Sequence, residues 1–184
     1  SKQMFHDAEG NFMTNNDERI IFYCKGVIET VRKLGWAPDI IHCQGWFSAL
    51  VPMYIKKLYA DEPLFDNVKV IYSVFDNTYN GELGENITEK LLYEKLEESD
   101  VSDIKKSTIS NLHKFAVDYS DAVVQASSTI DNDVLKHIKD SQKPFMSYPG
   151  NDDYVNSYQN FYDQFIEKEE ESVKESILEN KENE

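Results

Sequence analysis

The spacing of apolar residues along this chain changes repeatedly between that of a helix and that of a strand. From Asn15 to about Leu34, apolar side chains recur every three or four residues, which predicts an amphipathic helix with one buried face. Asn15 and Glu18 form an N-cap pattern at its start, and Gly35 is a suitable terminator. The buried stripe is predicted to contain Ile20, Ile21, Cys24, Val27, Ile28 and Val31.

Short apolar runs predict strands between the helices. Ile40 to Cys43, Val68 to Val74 and Ala122 to Gln125 are rich in β-branched residues and are too short for buried helices. The largely apolar stretch from Phe47 to Tyr59 is predicted to be a helix between the first two strands. This β-α-β order predicts a parallel sheet.

The rest of the chain continues the alternation. Helices are predicted over Thr88 to Glu97 and Ser102 to Val117, then a short helix capped by Asp131, and a last helix from Tyr154. The pattern as a whole predicts an α/β fold, a three-layer Rossmann-like domain with a mainly parallel sheet.

The length of 184 residues suits one domain with a core of its own. We expect a polar N-terminal segment over residues 1–14, an α/β domain over residues 15–166 and an acidic tail over residues 167–184. The tail is Glu- and Lys-rich with few apolar anchors, which fits either a frayed helix or a disordered segment.

Charge and composition narrow the classes of partner. The formal net charge is -15, with 34 acidic against 19 basic residues, which argues against binding to nucleic acid or to an anionic membrane surface. No apolar stretch approaches the roughly 20 residues that span a bilayer. Cys24 and Cys43 lie in apolar stretches without metal or redox spacing, so we expect reduced, packed thiols and a cytoplasmic location. No metal site is indicated, because no histidine has partners at ligand spacing.

Polar and aromatic residues directly follow the first two predicted strands. The carboxyl ends of parallel strands lie at one edge of a sheet, where open α/β folds bind ligands. We therefore expect substrate binding there. The candidate residues are His42, Gln44, Gly45, Trp46, Asp76, Asn77 and Tyr79.

Each candidate also has a purely structural interpretation. His42 fits a hydrogen-bonded core histidine, and Trp46 fits an aromatic residue that closes a helix against a sheet edge. Stronger candidates for ligand contact are Gln44, Asp76, Asn77 and Tyr79, because polar groups crowded at strand ends are costly to bury without partners. The run from Asp76 to Thr78 is equally suited to a turn.

The region around the first strand also resembles a known family. Residues 38–46 (PDIIHCQGW) and 49–56 (ALVPMYIK) resemble the signature P-D-h-h-H-x-H-D-W, followed by L-x-P-x-Y-L-K, of bacterial glycogen synthases and plant starch synthases. These are retaining glucosyltransferases of family 5 with the two-domain GT-B fold. Residues 17–19 (DER) and 119–127 (YSDAVVQAS) resemble two further motifs of the family, and the likeness extends from about residue 15 to residue 140.

The chain departs from the family pattern at positions that the family uses for sugar binding. Gln44 and Gly45 stand where the motif has its second His and its Asp, and Phe75 and Asp76 stand where the family has a His-Asn pair. Glycine has no carboxylate for a sugar hydroxyl, and Phe75 has no donor for charge that develops in the transition state. No catalytic residue is therefore assigned.

The resemblance implies one incomplete half of a GT-B enzyme, without the N-terminal part of the family domain and its K-x-G-G-L loop. The implied reaction transfers glucose from ADP-glucose to an α-1,4-glucan, with no metal or other cofactor. We expect this chain alone to be inactive and a second domain or partner chain to complete the donor site. The alternative is a catalytically degenerate relative that binds glucan or a protein partner. An unrelated doubly wound nucleotide-binding domain is disfavoured because no phosphate-binding glycine loop is present.

Overall fold

The computed structural model describes residues 5–76, 81–84, 86–94 and 96–166. Contacts between residues divide the chain into two units, Ser1–Tyr148 and Pro149–Glu184. In the second unit a helix covers residues 154–166, close to its predicted start, and the tail over 167–184 lies outside the described residues. The division into residues 1–14, 15–166 and 167–184 stays a prediction.

The first unit is built on a four-stranded sheet in which every strand pairs in parallel with its neighbour. The strands follow chain order across the sheet: β1 Ile40–Gln44, β2 Lys69–Val74, β3 Ala122–Gln125 and β4 Phe145–Met146. This confirms the predicted α/β class and parallel sheet. Strand β4 was not predicted, because two residues are too few to show a periodicity.

The helices of this unit are α1 Asn16–Leu34, α2 Val51–Met53, α3 Ile87–Leu92, α4 Glu98–Val101, α5 Ile109–Tyr119 and α6 Asn132–Asp140. Helix α1 ends as predicted, because Gly35 has a left-handed φ of 64° and its N–H donates to the carbonyl of Arg32. The predicted N-cap position was confirmed, since Asn15 directly precedes α1, although the described residues show no capping hydrogen bond from its side chain. Val27 was wrongly placed in the buried stripe and is 40% exposed.

Two predicted helices are broken. The stretch from Phe47 to Tyr59 consists of a 3-10 turn over Trp46–Ser48, helix α2, and a π turn over Tyr54–Leu58. The stretch from Ser102 to Val117 is interrupted before Thr108, whose hydroxyl accepts a hydrogen bond from the Asn111 N–H, 3.1 Å away, and so caps α5. The spacing of apolar residues predicted one continuous helix here. It missed the break because a Thr at helical spacing fits both the interior of a helix and its N-cap.

A third predicted helix ends early. Helix α3 stops at Leu92, and α4 starts separately at Glu98 with a reciprocal capping box between Glu97 and Asp100. The prediction for α6 was confirmed, since the Asp131 carboxylate accepts from the N–H groups of Asp133 and Val134 at 2.8 and 3.1 Å.

The core lies between the central strands and the helices. Val70, Tyr72 and Val74 of β2 are almost fully buried, as are Leu112 and Phe115 of α5. Because β2 is covered on both faces, its sequence after Lys69 is apolar apart from Ser73, as expected for a parallel sheet. Among the described residues, no helix is long and apolar enough to cross a membrane.

Candidate functional site

Strand register places the candidate residues at one edge of the sheet. Gln44 at the end of β1 pairs with Ser73 of β2, and Val74 pairs with Gln125 at the end of β3. The loops that follow these strands therefore start side by side. We call this region, residues 42–48, 73–76 and 125–129, the carboxyl edge.

His42 lies beneath this edge. Its Nε2 is 2.7 Å from the Ser73 hydroxyl, and burial lowers the pKa of His42 to about 4. At neutral pH the imidazole is therefore uncharged and hydrogen-bonded within the sheet. These contacts agree with the structural interpretation of His42, and its contact with a ligand stays a prediction.

Gly45 sharply redirects the backbone after β1. Its φ of 70° and ψ of 174° fall in a region that glycine alone occupies freely. Its N–H donates to the Ser73 carbonyl at 2.9 Å, and its own carbonyl accepts from the Ser48 hydroxyl at 3.0 Å. A Cβ on Gly45 would lie 3.7 Å from Cδ2 of Phe75, so the ring of Phe75 stands directly against this turn.

Trp46 packs into an aromatic cluster and is only 9% exposed. Its ring centroid lies 4.7 Å from that of Phe5, 5.8 Å from Phe12 and 5.3 Å from Phe47. Such tilted and edge-on contacts stabilise a core. These contacts give Trp46 a structural role beneath the carboxyl edge. Its direct contact with a sugar stays a prediction.

Gln44 and Asp76 present polar groups at the exposed side of the edge. Gln44 is exposed at the end of β1, and the Asp76 side chain is exposed beyond the end of β2. The N–H of Asp76 donates to the Ser127 hydroxyl at 2.9 Å, while the Thr129 hydroxyl lies 3.4 Å from the Asp76 carboxylate. The loop after β2 is thereby tied to the loop after β3.

Ser127 and Thr129 were missed as site residues by sequence reasoning. A signal was present, because the hydroxyl-rich run from Ser127 to Thr129 directly follows β3, as the other candidates follow β1 and β2. Asn77 and Tyr79 lie outside the described residues, so their predicted contacts stay predictions.

The carboxyl edge offers an amide, a carboxylate and hydroxyl groups, which are suited to hydrogen bonds with a polyol. At the position where the family motif has an Asp, Gly45 presents only backbone. Phe75 adds an apolar surface, since its side chain is 36% exposed. Within residues 5–76, 81–84, 86–94 and 96–166, no cluster of His, Cys, Asp and Glu could hold a metal ion.

Cavities occur elsewhere on this unit. Surface cavities of about 510, 540 and 580 Å³ flank α1. Their lining includes none of the described candidate residues.

Comparison with known proteins gives a consistent result. The family model for the starch synthase catalytic domain matches residues 1–143. A glycogen synthase of Chlorobium luteolum is 39% identical over 87 residues, which cover 47% of this chain and 18% of that protein. A glycogen synthase of Chlorobaculum parvum is 32% identical over 127 residues, or 67% of this chain and 25% of that protein. The chain thus spans about a fifth of the length of the curated relatives it matches.

A solved structure shares the fold. The catalytic domain of starch synthase IV from Arabidopsis thaliana, bound to ADP and acarbose, aligns with a TM-score of 0.55 and 19% identity. The alignment covers 75% of this chain and 30% of that domain. At this identity, the likeness establishes the arrangement of helices and strands, as the sequence resemblance predicted.

Proposed function

This chain belongs to the starch synthase catalytic domain family, and from that membership we propose that it acts in glucosyl transfer of the glycogen and starch synthase type. The donor is ADP-glucose and the acceptor is an α-1,4-glucan. The observation that carries the proposal is the family match over residues 1–143, which includes every strand except the last.

The carboxyl edge forms one wall of the substrate cleft in this proposal. The Gln44 amide donates and accepts hydrogen bonds with sugar hydroxyls, and the Asp76 carboxylate accepts them. The contacts of Asp76 with Ser127 and Thr129 hold it in place. The related starch synthase domain carries ADP and acarbose, which supports a nucleotide and a saccharide as the two ligand classes. A second domain or a partner chain supplies the opposite wall and the remainder of the donor site.

In this proposal, His42 holds the end of β1 in position and does not transfer a proton. With a pKa lowered to about 4, it is not an imidazolium that could act as a general acid at neutral pH, and its Nε2 lies 2.7 Å from the Ser73 hydroxyl. Its role is to fix the end of β1 beneath Gln44. We also place the reaction in the cytoplasm, in keeping with the buried free thiols of Cys24 and Cys43.

A second candidate function is binding of glucan without transfer. The contact between Gly45 and Phe75 favours it, because both residues replace polar groups of the family pattern and they replace them at adjacent points in space. An edge altered in this way retains hydrogen-bonding groups for an oligosaccharide but presents an apolar ring where charge would need stabilisation.

Isothermal titration of the full-length protein, together with the domain or partner that completes its donor site, against maltoheptaose and, separately, ADP-glucose distinguishes the two functions. Binding of both ligands, with transfer of labelled glucose to the glucan, supports the synthase. Maltoheptaose binding alone, weakened by Gln44→Ala and Tyr79→Ala, supports the glucan-binding relative. Asp66→Ala, an exposed change away from the carboxyl edge, is the matched control. Absence of binding for both ligands would contradict both functions.

A further inference from the structure

A continuous groove runs along the outer face of α1. The cavities of about 510 and 540 Å³ share Lys25, Tyr93 and Glu94 in their lining, so they form one depression between α1, α3 and the turn after the π segment. We call this depression the α1 groove. Its lining includes Phe22, Gly26, Asp61 and Glu62. The neighbouring cavity of about 580 Å³ shares Glu18 and Phe22 with the groove and extends to Phe47 of the carboxyl edge.

The centre of the α1 groove is apolar and exposed. Phe22 is 81% exposed and Tyr93 is 91% exposed, although both are large aromatic side chains. Ile21 lines the depression between them. Clustered exposed aromatics of this kind are typical of surfaces that bind another molecule, because they supply buried area at a low entropic cost.

Gly26 lies in the interior of α1, where glycine is among the least favourable residues. An added Cβ there would meet no described atom within 4 Å, so packing among the described residues gives no reason for the missing side chain. The glycine instead lowers the floor of the groove, where it lets an occupant approach the helix backbone closely.

Charge is distributed unevenly along the groove. Near the start of α1, Lys90 is the one cation that the described residues place in an ion pair with Asp17 and Glu18, at 2.6 and 2.8 Å, and Asp17 lies buried beneath the groove lining. In the middle, Lys25 and Glu94 balance each other at 2.8 Å. The middle therefore has no excess charge, while the first end has an excess carboxylate.

The other end repeats this excess. Arg32 lies 2.9 Å from Glu29 and 3.4 Å from Glu62, and Lys33 also acts on Glu29. With the exposed Asp61 in the same lining, three carboxylates meet two cations among the described residues. Glu18 and Glu29 are separated along α1 by about 16 Å at a rise of 1.5 Å per residue. The groove is thus apolar in its middle and negatively charged at both ends.

We propose that the α1 groove binds an amphipathic helical segment of a partner protein, about three turns long, with apolar side chains in its middle and Lys or Arg at both ends. Charge complementarity at both ends selects this occupant. A second copy of the chain is disfavoured because each copy carries a net charge of -15. An oligosaccharide would leave the acidic ends without a counterpart.

A designed peptide tests the proposal on the full chain. The probe is a stapled helix of about 13 residues, with paired lysines at both ends and leucines along one central face. A second peptide has glutamate in place of every lysine. Fluorescence anisotropy should show binding of the lysine peptide only, weakened by raised salt because the end contacts are exposed.

Gly26→Gln is the most informative variant. A glutamine side chain fits the helix and meets no described neighbour, so the melting temperature should stay the same or rise. It fills the groove floor, so peptide affinity should fall about tenfold or more. Phe22→Ala should also weaken binding about tenfold, while Leu34→Ala, an exposed change on α1 outside the groove, should not.

A matched pair of variants tests the charge at the ends of the α1 groove. Asp61→Lys should weaken the lysine peptide and strengthen the glutamate peptide, whereas Asp66→Lys, exposed but outside the groove, should change neither. Equal binding of both peptides, equal affinity for the Gly26 and Leu34 variants, or displacement of the peptide by maltoheptaose would each overturn the proposal.

Discussion

The ring of Phe75 stands against the backbone of Gly45, where an added Cβ would lie 3.7 Å from Phe75 Cδ2. Both residues depart from the pattern of the family to which the chain belongs. In sequence they are separated by most of a β-α-β unit. In the fold they lie side by side, because Gly45 directly follows β1 and Phe75 directly follows the neighbouring strand β2. The two departures therefore adjoin, because a Cβ at Gly45 would be in ordinary van der Waals contact with the ring of Phe75.

Gly45→Asp should therefore lower the free energy of unfolding without restoring chemistry. An aspartate cannot adopt a φ of 70° with a ψ of 174° without strain, which costs about 1–3 kcal/mol. Urea unfolding measures the loss, and a transfer assay with ADP-glucose checks activity. Phe75→His alone should be milder, since Phe75 is 36% exposed. Unchanged stability of Gly45→Asp together with gained transfer would contradict this account.

Removal of the exposed polar groups should affect binding and leave folding intact. Gln44→Ala and Asp76→Ala should each weaken maltoheptaose binding about tenfold, because a lost hydrogen bond costs about 1–1.5 kcal/mol. Stability should stay within about 0.5 kcal/mol of the parent, as for most surface changes. Titration calorimetry and urea unfolding measure the two effects. Equal affinity in all variants would remove the carboxyl edge from the substrate cleft.

Trp46 should behave as a core residue. Trp46→Ala removes its packing on Phe5, Phe12 and Phe47 and should cost about 3–5 kcal/mol. Trp46→Phe keeps an aromatic ring and should cost less, with maltoheptaose affinity preserved. Thermal unfolding and titration of both variants check this result. A stable Trp46→Phe variant that no longer binds glucan would instead establish direct contact.

Local pattern was sufficient for the sheet and for the position of the site. Strands β1 to β3 are short runs rich in β-branched residues, as buried strands usually are. Polar residues follow these runs, so the ends of the strands were predictable to within about one residue. The positions of His42 and Gln44 at a strand end followed from this. Helix breaks were less predictable, because Thr108 fits equally well in a helix and at its cap.

Tertiary contacts were beyond the reach of the sequence pattern. No spacing rule brings Asp76 next to Ser127, since β2 and β3 are separated by three helices of irregular length. The pairing of Gly45 with Phe75 likewise depends on the register of β1 against β2. The α1 groove was not predicted from the sequence, because aromatic residues such as Phe22 and Tyr93 are normally expected in a core.

Lys143 should be a strong contributor to stability. Its ammonium donates to the carbonyls of Val117, Asp118 and Ser120 at 2.7, 2.6 and 2.6 Å, which satisfies the carboxyl end of α5. Lys143→Met leaves these carbonyls without that donor and should cost about 2–3 kcal/mol. Urea unfolding against Lys139→Met, a change in the exposed last turn of α6, measures it. Equal midpoints for the two variants would refute the capping role.

Two histidines make the fold sensitive to acid. Burial lowers the pKa of His42 and of His113 to about 4, and Nδ1 of His113 lies 2.7 Å from the buried Tyr72 hydroxyl. In the unfolded chain both should titrate near 6.5. Between these values the unfolded chain binds more protons than the folded chain, so stability must rise with pH through this window.

The free energy of unfolding should therefore be constant above about pH 6.5 and fall as the pH is lowered to about 4, by up to about 3 kcal/mol for each histidine. Urea unfolding at half-unit steps of pH measures the slope. His42→Gln removes one titrating group, so its slope over this window should be about half that of the parent, whatever the cost of the substitution at pH 7. A parent curve that stays flat from pH 7 to pH 4.5 would show that neither imidazole is held neutral by burial.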